Sequence, residues 1–351
     1  MLEALTEQLL TGHALSRIQA QQSANAVASQ AYTPESKAAF LGALARKGET
    51  VEEIVTFATE LRGKAVAVPI DAHTRGQEIV DVCGTGGDGL HTFNISTTVA
   101  LVVAGAGVTV AKHGNRAITS KTGSADVLEA LGIQVDLSPD QAARWLREYG
   151  FAFFFAPNYH PAFKHIAPAR RLCAERGQRT IFNFLGPLLN PAQPSAQLIG
   201  VPRPGLCDTL GRVLQMLGAR RGMVVSGCVG TDQNCFLDEL STLGPTSVAE
   251  FYQERAFAGS TLSHADFPVQ PATLNDLAGT DRDGNAALTI AILDGRDRGP
   301  RRDAVLLNAG AALLVAGKVK SIAEGWAMAE KTIDQDQAAQ KLRELQKASK
   351  G

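Results

Sequence analysis

The chain has 351 residues, more than a usual single domain, so we expect two domains. Hydrophobic residues make up 45% and charged residues 20%, a balance that excludes long disordered tracts. The formal net charge of -1 predicts neither a nucleic-acid partner nor a membrane surface as a partner. The five cysteines are odd in number and form no Cys-x-x-Cys pair, which favours reduced thiols and a cytoplasmic location.

Residues 1–65 are predicted to form a small helical domain. Apolar residues recur at intervals of three and four in LEALTEQLL, SKAAFLGALARKG and VEEIVTFATEL. Thr33-Pro34 is typical of a helix start, and Gly48 is typical of a helix end. Residues 66–77, with a proline, a glycine and alternating small side chains, are predicted to be a linker.

Residues 78–351 are predicted to form a large α/β domain with a mainly parallel sheet, because short apolar runs alternate with helical patterns. A helical stretch around 160–190 is assigned to the small domain, and the part from about Leu274 is predicted to be helical. The predicted strands are EIVDVC, VTVAKHG, FAFFFAP, QLIGVP, MVVSG and SVAEFY. The predicted helices between them are TTVALVVAGAG, SADVLEALG, HPAFKHIAPARRLCAERG and PGLCDTLGRVLQMLG.

The stretch from GTGGDG to KTGSAD has the composition of an anion site. No carboxylate lies between Asp88 and Asp126, whereas Lys112, Arg116 and Lys121 fall within that span. Glycine-rich loops let backbone N–H groups approach a phosphate, hydroxyl side chains add donors, and Lys and Arg supply charge. We therefore expect a phosphate or pyrophosphate group to bind here.

Gly84, Gly86 and Gly89 form a literal Gly-x-Gly-x-x-Gly motif, which would also suit a dinucleotide. A dinucleotide site needs an acid about 20 residues later for the ribose hydroxyls, and a helix that opens directly from the glycines. Neither is present, because LHTFN intervenes and the following window has no acid. The loop is therefore interpreted as a pyrophosphate loop.

Three further segments extend the predicted anion site. Asn94–Thr97 is expected to precede the apolar helix Thr98–Ala106, whose N-terminus would attract an anion. Lys112–Arg116 ends a predicted strand, at the position where α/β proteins bind ligands. Ser120–Ser124 is a second hydroxyl-rich turn before a helix.

Two other groups of side chains suit the partners of such an anion. Asp238-Glu239 lies in FLDELST, and Mg²⁺ prefers one or two carboxylates together with water and phosphate oxygens. His160 and Arg170 are expected on one helical region facing a pocket, where the arginine could clamp a carboxylate. Each group on its own is equally typical of a solvated surface.

The motifs GTGGDG, FNIST, KHGNR, TSKTGSADVLEALG, FAPNYHPA, RTIFNFLGPLLNP and LDELS, in this order and spacing, resemble the anthranilate phosphoribosyltransferase family. The resemblance extends, more weakly, from FLGALARKGET to RDAVLLNAGAALLVAG and so covers nearly the whole chain. It implies a fold like that of the nucleoside phosphorylases and class II phosphoribosyltransferases, with a helical domain hinged to an α/β domain. It also implies a homodimer formed through the small domain.

The implied activity is a glycosyltransferase reaction of tryptophan biosynthesis. The phosphoribosyl group of 5-phosphoribosyl 1-pyrophosphate would pass to the amine of anthranilate, giving N-(5-phosphoribosyl)anthranilate and pyrophosphate. The resemblance and the loops around its motifs place the first substrate at a set of loop and helix-start residues. These are Gly84, Gly87, Asp88, Thr92, Asn94, Ile95, Ser96, Thr97, Lys112, Gly114, Asn115, Arg116, Ser120 and Ser124.

The resemblance also implies the sites of metal and acceptor. Two Mg²⁺ ions are expected at Ser96, Asp238 and Glu239. Arg170 would hold the carboxylate of anthranilate, and the residues implied to contact or line the path of this substrate are Gly84, Asn115, His113, His160 and Arg170. No strong base is needed because an aromatic amine is neutral at pH 7, and His113 is the nearest candidate for one.

Two alternatives remain open from the sequence. A nucleoside phosphorylase of the same fold would use phosphate as the nucleophile. A non-enzymatic relative that binds nucleic acid would lose the glycine loop and the acidic pair and gain a basic face. This chain keeps both motifs and has no basic excess, so the transferase is the preferred interpretation.

Overall fold

A computed structural model of the chain describes residues 1–117, 122–230, 232–252 and 257–350. The helices are α1 (Leu2–Leu10), α2 (Arg17–Ala28), α3 (Pro34–Lys47), α4 (Val51–Arg62), α5 (Ala72–Gly76), α6 (Ile95–Gly105), α7 (Ser124–Ala130), α8 (Pro139–Tyr149), α9 (Ala156–Tyr159), α10 (Phe163–Glu175), α11 (Gly205–Met216), α12 (Arg282–Leu293), α13 (Pro300–Val315), α14 (Ile322–Asp334) and α15 (Gln337–Ala348). The strands are β1 (Ile79–Gly84), β2 (Thr109–Gly114), β3 (Phe151–Phe155), β4 (Ala196–Gly200), β5 (Arg221–Val229), β6 (Asp232–Leu237), β7 (Thr246–Tyr252) and β8 (Ala258–Leu262). Short 3₁₀ turns occur at Ile181–Asn183, Gly186–Leu189, His264–Asp266 and Leu274–Leu277.

Helices α1 to α4 form the predicted N-terminal helical region. The Thr33 side chain accepts a hydrogen bond from the Ser36 N–H and caps α3, with Pro34 in its first turn. Gly48 ends α3 with φ of 87°, a value that favours glycine. Helix α10 packs against α3, where the Lys37 Nζ donates to the His165 carbonyl at 2.9 Å. Helix α5 lies within the predicted linker, so that segment is not without secondary structure.

One sheet forms the centre of the α/β region, with strand order β3-β2-β1-β4-β5-β7-β8. Its five strands from β3 to β5 are parallel, whereas β7 and β8 continue antiparallel and β6 pairs with β5 as a hairpin. The mainly parallel sheet predicted from the sequence is therefore confirmed. Strands β6 and β8 and helix α8 were not predicted, because DQNCFL and AGSTL lack an apolar run and PDQAARWLREY is mostly polar.

Apolar helices cover the sheet. Helix α6 packs on α13, and both are buried over most of their length. Parallel β1, β2 and β4 end at the same edge of the sheet, at Gly84, Gly114 and Gly200. That edge is where α/β proteins place their ligands. Among the described residues, no helix has both the length and the apolarity needed to cross a membrane.

Candidate functional site

A cavity of about 640 Å³ opens at the carboxyl edge of the sheet. It lies over the ends of β1 and β2 and beside the first turns of α6 and α7. The residues predicted from the sequence that line it are Gly84, Gly87, Asp88, Thr92, Asn94, Ile95, Ser96, Thr97, Lys112, His113, Gly114, Asn115, Arg116, Ser124, Arg170, Asp238 and Glu239. Of the other two predicted residues, His160 lies behind the lining, and Ser120 falls outside the described residues.

The glycine loop after β1 curves around the cavity. Gly86, Gly87 and Gly89 have φ of 73°, 84° and 72°, which a side chain would strain. The Gly86 N–H donates to Asp238 Oδ2 at 2.7 Å, so the loop is joined to the acidic pair 152 residues further along the chain. Backbone N–H groups of this loop are placed to approach an anion closely.

The acidic pair reaches the cavity only because two strand-end residues lack side chains. A Cβ at Gly84 would lie 2.0 Å from Asp238 Oδ2, and one at Gly200 would lie 1.5 Å from the Asp238 carbonyl oxygen. Both distances are far below van der Waals contact. Asn308 of α13 accepts from the Leu240 N–H at 2.9 Å and donates to the Leu240 carbonyl at 3.0 Å. The segment that carries Asp238 and Glu239 is therefore held from both sides.

Helix α6 begins at Ile95, three residues earlier than the sequence predicted, so Ser96 and Thr97 lie in its first turn. The Asn94 side chain does not cap the helix. Instead it donates to the Thr122 carbonyl at 3.2 Å and accepts from Asn285 at 2.9 Å. The Ile95 N–H donates to the Phe93 carbonyl at 2.7 Å. Ser96 and Thr97 line the cavity, so the positive end of the helix dipole lies beside it, which suits an anion.

Lys112 is a buried cation at the floor of the cavity, with 1% of its surface exposed. Its Nζ donates to the Val82 carbonyl at 2.7 Å and to Ser96 Oγ at 3.3 Å. The positive charge lies close enough to Asp81 and Glu239 to lower the pKa of both carboxyls, against the larger effect of burial. Lys112 thus balances the carboxylates beneath the site.

Three carboxylates meet at the acidic end of the cavity. Burial raises the pKa of Asp238, and the charge of Asp88, whose side chain lies within hydrogen-bond reach, raises it further. Burial and the neighbouring Asp238 raise the pKa of Glu239 well above its usual range. Mutual repulsion of this kind is relieved by a bound cation, so the residues present fit Mg²⁺.

The donor set is incomplete for a metal held by protein alone. Over the described ranges, no three His, Cys, Asp or Glu side chains are grouped at metal-ligand spacing. Mg²⁺ usually keeps several waters and binds through one or two carboxylates together with phosphate oxygens of a substrate. The acidic pair therefore suits an ion that arrives with a polyphosphate.

His113 and His160 form a buried pair beside the cavity. The Nδ1 of His113 lies 3.2 Å from the Gly186 carbonyl oxygen, which can only accept, so Nδ1 carries the hydrogen. The Nε2 of His113 then accepts from the Nε2–H of His160 at 3.2 Å. Since both ring nitrogens are engaged, His113 has no free lone pair for a substrate proton. The candidacy of His113 as a general base has no support in this geometry.

The buried histidine pair is expected to make the protein less stable below pH 6.5. Burial lowers the pKa of His113 to about 3 and that of His160 to about 4. Since both pKa values are lowered, the unfolded chain takes up protons that the folded chain does not, from about pH 6.5 downward. The free energy of unfolding should fall toward pH 4 by up to about 1.4 kcal/mol per pH unit for each histidine.

Urea unfolding at about pH 7 and about pH 5 measures this loss. A His160→Gln variant should lose less stability between the two conditions than the wild type. A His13→Gln variant, at an exposed position, is the matched control and should behave as the wild type. Equal losses in all three proteins would show that the pair does not titrate as described.

The positions of His160 and Arg170 differ from the sequence-based expectation. His160 follows the short helix α9 and precedes α10, which contains Arg170, so the two are not on one continuous helix. Arg170 lines the cavity, and its guanidinium lies 5.7 Å from the centre of the Phe182 ring. The described residues place no carboxylate against Arg170, and burial lowers the pKa of its guanidinium. This cation is available to an anionic ligand.

Arg116 does not supply free charge to the site, contrary to the prediction. Its Nη2 lies 2.6 Å from Glu129 Oε1 and its Nη1 lies 3.1 Å from Asp126 Oδ1. Both acids follow the acid-free span in the sequence and belong to α7. A helical turn places them back against the loop, so the charge of Arg116 is balanced within the protein. Lys112, Arg170, Arg179 and Arg203 also line the cavity, and Lys121 lies outside the described residues.

Some cavity residues were not predicted from the sequence. Arg179 donates from Nη2 to the Gly87 carbonyl at 3.2 Å and thus joins the glycine loop to the segment after α10. Arg203, Asn183 and Phe182 line the cavity near it. RTIFNFLGPLLNP is one of the motifs that carry the family resemblance, but the sequence alone assigns none of its residues to the site. The signal in the sequence for this wall of the cavity was Arg179, the first residue of the motif.

Two family models match consecutive parts of the chain. The model described as "Glycosyl transferase family, helical bundle domain" matches residues 3–65, and the model described as "Glycosyl transferase family, a/b domain" matches residues 76–339. The anthranilate phosphoribosyltransferase of Moorella thermoacetica is 47% identical over 345 residues, which cover 98% of this chain and 97% of the relative. The chain belongs to the anthranilate phosphoribosyltransferase family.

Solved structures of the anthranilate phosphoribosyltransferase family have the same architecture. The enzyme from Thermus thermophilus superposes with a TM-score of 0.88 at 37% identity and covers 99% of both chains. The enzyme from Saccharomyces cerevisiae, in complex with PRPP (phosphoribosyl pyrophosphate) and Mg, superposes with a TM-score of 0.86 at 25% identity, covering 99% of this chain and 98% of that one. The family assignment and the fold class predicted from the sequence are both confirmed.

Proposed function

We propose that the chain transfers the phosphoribosyl group of phosphoribosyl pyrophosphate to the amine of anthranilate, releasing pyrophosphate, as a step of tryptophan biosynthesis. The observation that carries the proposal is the convergence of four features on one cavity: the glycine loop, the start of α6, Lys112 and the acidic pair. Together they form a polyphosphate site with a cation-binding end. The yeast relative was solved in complex with PRPP and Mg, which supports the same substrate here.

The main catalytic task in this reaction is to stabilise the negative charge that develops on the leaving pyrophosphate. The loop N–H groups and the first turn of α6 are oriented before the reaction to receive that charge. Mg²⁺ would be held by Ser96, Asp238 and Glu239 and would supply further neutralisation of the phosphates. Two ions are proposed, as the resemblance implies, with substrate phosphate oxygens and waters supplying the donors that the described protein groups lack.

The acceptor is proposed to lie on the Arg170 side of the cavity. The amine of anthranilate is neutral at pH 7, so positioning rather than proton removal is the task of the protein. Asn115 and Gly84 line the cavity, while the neutral His113–His160 pair lies beside it and contributes an uncharged wall. Arg170 would hold the carboxylate of anthranilate by two parallel hydrogen bonds.

Replacing Arg170 with alanine should raise the KM for anthranilate by at least about ten- to a hundredfold, because the charge-assisted contact with the carboxylate is lost. The KM for phosphoribosyl pyrophosphate should change far less. Steady-state kinetics with each substrate varied in turn measure both effects. Arg171→Ala is the matched control, since Arg171 is the exposed neighbour on the same helix. Equal effects on both substrates would count against this role of Arg170.

A comparison of nucleophiles tests the proposed activity against the phosphorylase alternative. The protein is incubated with Mg²⁺ and phosphoribosyl pyrophosphate plus anthranilate, or with a nucleoside plus phosphate. Loss of anthranilate fluorescence and the mass of the phosphoribosyl adduct are expected in the first mixture only. Phosphorolysis in the second mixture without reaction in the first would overturn the proposal.

We also propose a cytoplasmic homodimer. Three large apolar side chains in or next to α1 and α2 are exposed to solvent. They are Met1, Leu10 and Ile18, with 46%, 52% and 68% of their surface exposed. Their burial between two copies would remove apolar surface from water. Cys83, Cys173 and Cys207 are buried thiols, in agreement with a reducing compartment. Light scattering during size-exclusion chromatography should give twice the 37.1 kDa mass of the chain.

A further inference from the structure

A second cavity, of about 230 Å³, lies where the helical region meets the sheet, and we refer to it as the junction cavity. Its wall is formed by the end of α4, the linker helix α5, the segment before β4 and the turn between α11 and β5. Its lining includes Arg62, Arg75, Ile79, Ser195 and Arg220. Three arginines and no carboxylate are in this lining.

The junction cavity is separate from the substrate cavity. Ile79, which begins β1, lines the junction cavity, whereas Gly84, which ends the same strand, lines the substrate cavity. These two residues are the ends of a six-residue strand, which spans roughly 16 Å. Ser195 and Arg220 likewise precede β4 and β5, so the junction cavity lies at the opposite edge of the sheet.

Two of the three arginines of the junction cavity, Arg62 and Arg75, carry charge that the described carboxylates leave unbalanced. Arg62 donates from Nε to the Leu188 carbonyl at 2.5 Å, and Arg75 donates from Nη1 to the carbonyls of Ala192 and Gln193. Neither has a carboxylate within 4.0 Å in the part of the chain that the structure describes. Burial lowers the pKa of Arg62 to about 10, which is the cost of holding a cation away from water.

Among the described residues, one acid forms an ion pair with this group of arginines. Glu78 pairs with Arg220 at 3.1 Å through Oε2, which leaves two guanidinium groups without an anionic partner among the described residues. A guanidinium has five N–H donors, and the carbonyl contacts use only one nitrogen of Arg62 and one of Arg75. Each guanidinium therefore keeps N–H donors of the kind that bind phosphate oxygens, Arg62 half-buried and Arg75 exposed at the rim of the same cavity.

We propose that the junction cavity is a binding site for a phosphate-class oxyanion, held by Arg62, Arg75 and Arg220. The bound anion would join the end of α4 to the linker helix α5 and to the start of β5. It would therefore restrain the segment 66–77 between the helical region and the α/β region. This site would bind its anion whether or not the substrate cavity has the activity proposed above.

Hydrogen exchange measured by mass spectrometry tests the proposal, with inorganic phosphate, sulfate and pyrophosphate as separate probes on the whole protein. At least one probe should slow exchange in 62–76 and 193–196. The double variant Arg62→Gln/Arg75→Gln should lose this protection or need at least about tenfold more anion. Arg296→Gln, at an exposed arginine paired with Asp294, is the control and should keep the wild-type response.

Arg220→Gln provides a second variant in case the double variant unfolds, because Arg220 is half exposed and its substitution leaves the backbone contacts of Ser195 in place. It should also raise the anion concentration needed for protection. If pyrophosphate protects at a lower concentration than phosphate does, the ligand is a diphosphate. If phosphate protects at the lower concentration, the ligand is a single phosphate group. The proposal is overturned if no probe slows exchange in 62–76 and 193–196, if the variants keep the wild-type protection, or if protection is confined to 84–124.

Discussion

Replacing Asp238 with asparagine should lower kcat/KM by about 100- to 1,000-fold, the cost usually seen when one charge-stabilising group is removed from an active site. Asparagine keeps an oxygen that can accept from the Gly86 N–H, so the glycine loop should stay in place. The lost charge is the one that Mg²⁺ would neutralise, so more Mg²⁺ should be needed for half-maximal rate. Steady-state rates over a range of Mg²⁺ concentrations measure both effects.

Stability separates this expectation from simple damage to the fold. Burial and the nearby Asp88 raise the pKa of Asp238, so removing the charge should leave the free energy of unfolding unchanged or higher. Asp208→Asn, at an exposed carboxylate paired with Arg212, is the matched control and should keep full activity. If Asp238→Asn keeps the wild-type activity at limiting Mg²⁺, Asp238 holds the glycine loop in place but does not bind Mg²⁺.

Replacing Lys112 with methionine should lower both activity and stability. The side chain is buried, and its charge offsets those of Asp81 and Glu239. Removing one member of a buried group of charges typically costs about 3–5 kcal/mol, because the carboxylates left behind are uncompensated. The rate should fall as well, since the cation at the floor of the phosphate site is lost.

Urea unfolding and steady-state kinetics of the same samples measure the two effects of Lys112→Met. Lys164→Met, at an exposed position of α10, is the control. Adding Glu239→Gln to Lys112→Met removes a stranded carboxylate and should restore part of the stability but none of the activity. A Lys112→Met protein as stable as the wild type would show that Lys112 does not balance these carboxylates.

The parts of the site that are local in sequence could be predicted from it. Glycines in positive-φ turns, a strand ending in KHG and a helix that opens near FNIST are all encoded within a few residues. A motif that ends a parallel strand must lie at the carboxyl edge of the sheet, so the cavity could be placed as well.

The pairings between distant segments could not be predicted. The contact of Gly86 with Asp238 crosses 152 residues and depends on the hairpin of β5 and β6, whose second strand has no apolar run. Arg116 appeared free because its partner Glu129 lies beyond the acid-free span, on a helix that turns back. The tautomer of His113 follows from its contacts with Gly186 and His160, which are 73 and 47 residues away in the sequence.

The most direct test of the proposed reaction is the stoichiometry of a single incubation of the purified protein with phosphoribosyl pyrophosphate, anthranilate and Mg²⁺. Anthranilate consumption is followed by fluorescence, and pyrophosphate release is followed in the same sample by a coupled phosphate assay. One pyrophosphate should appear for each anthranilate consumed, and neither change should occur when Mg²⁺ is chelated. Pyrophosphate release without loss of anthranilate, or no reaction in the complete mixture, would contradict the assignment of this cavity to anthranilate phosphoribosyl transfer.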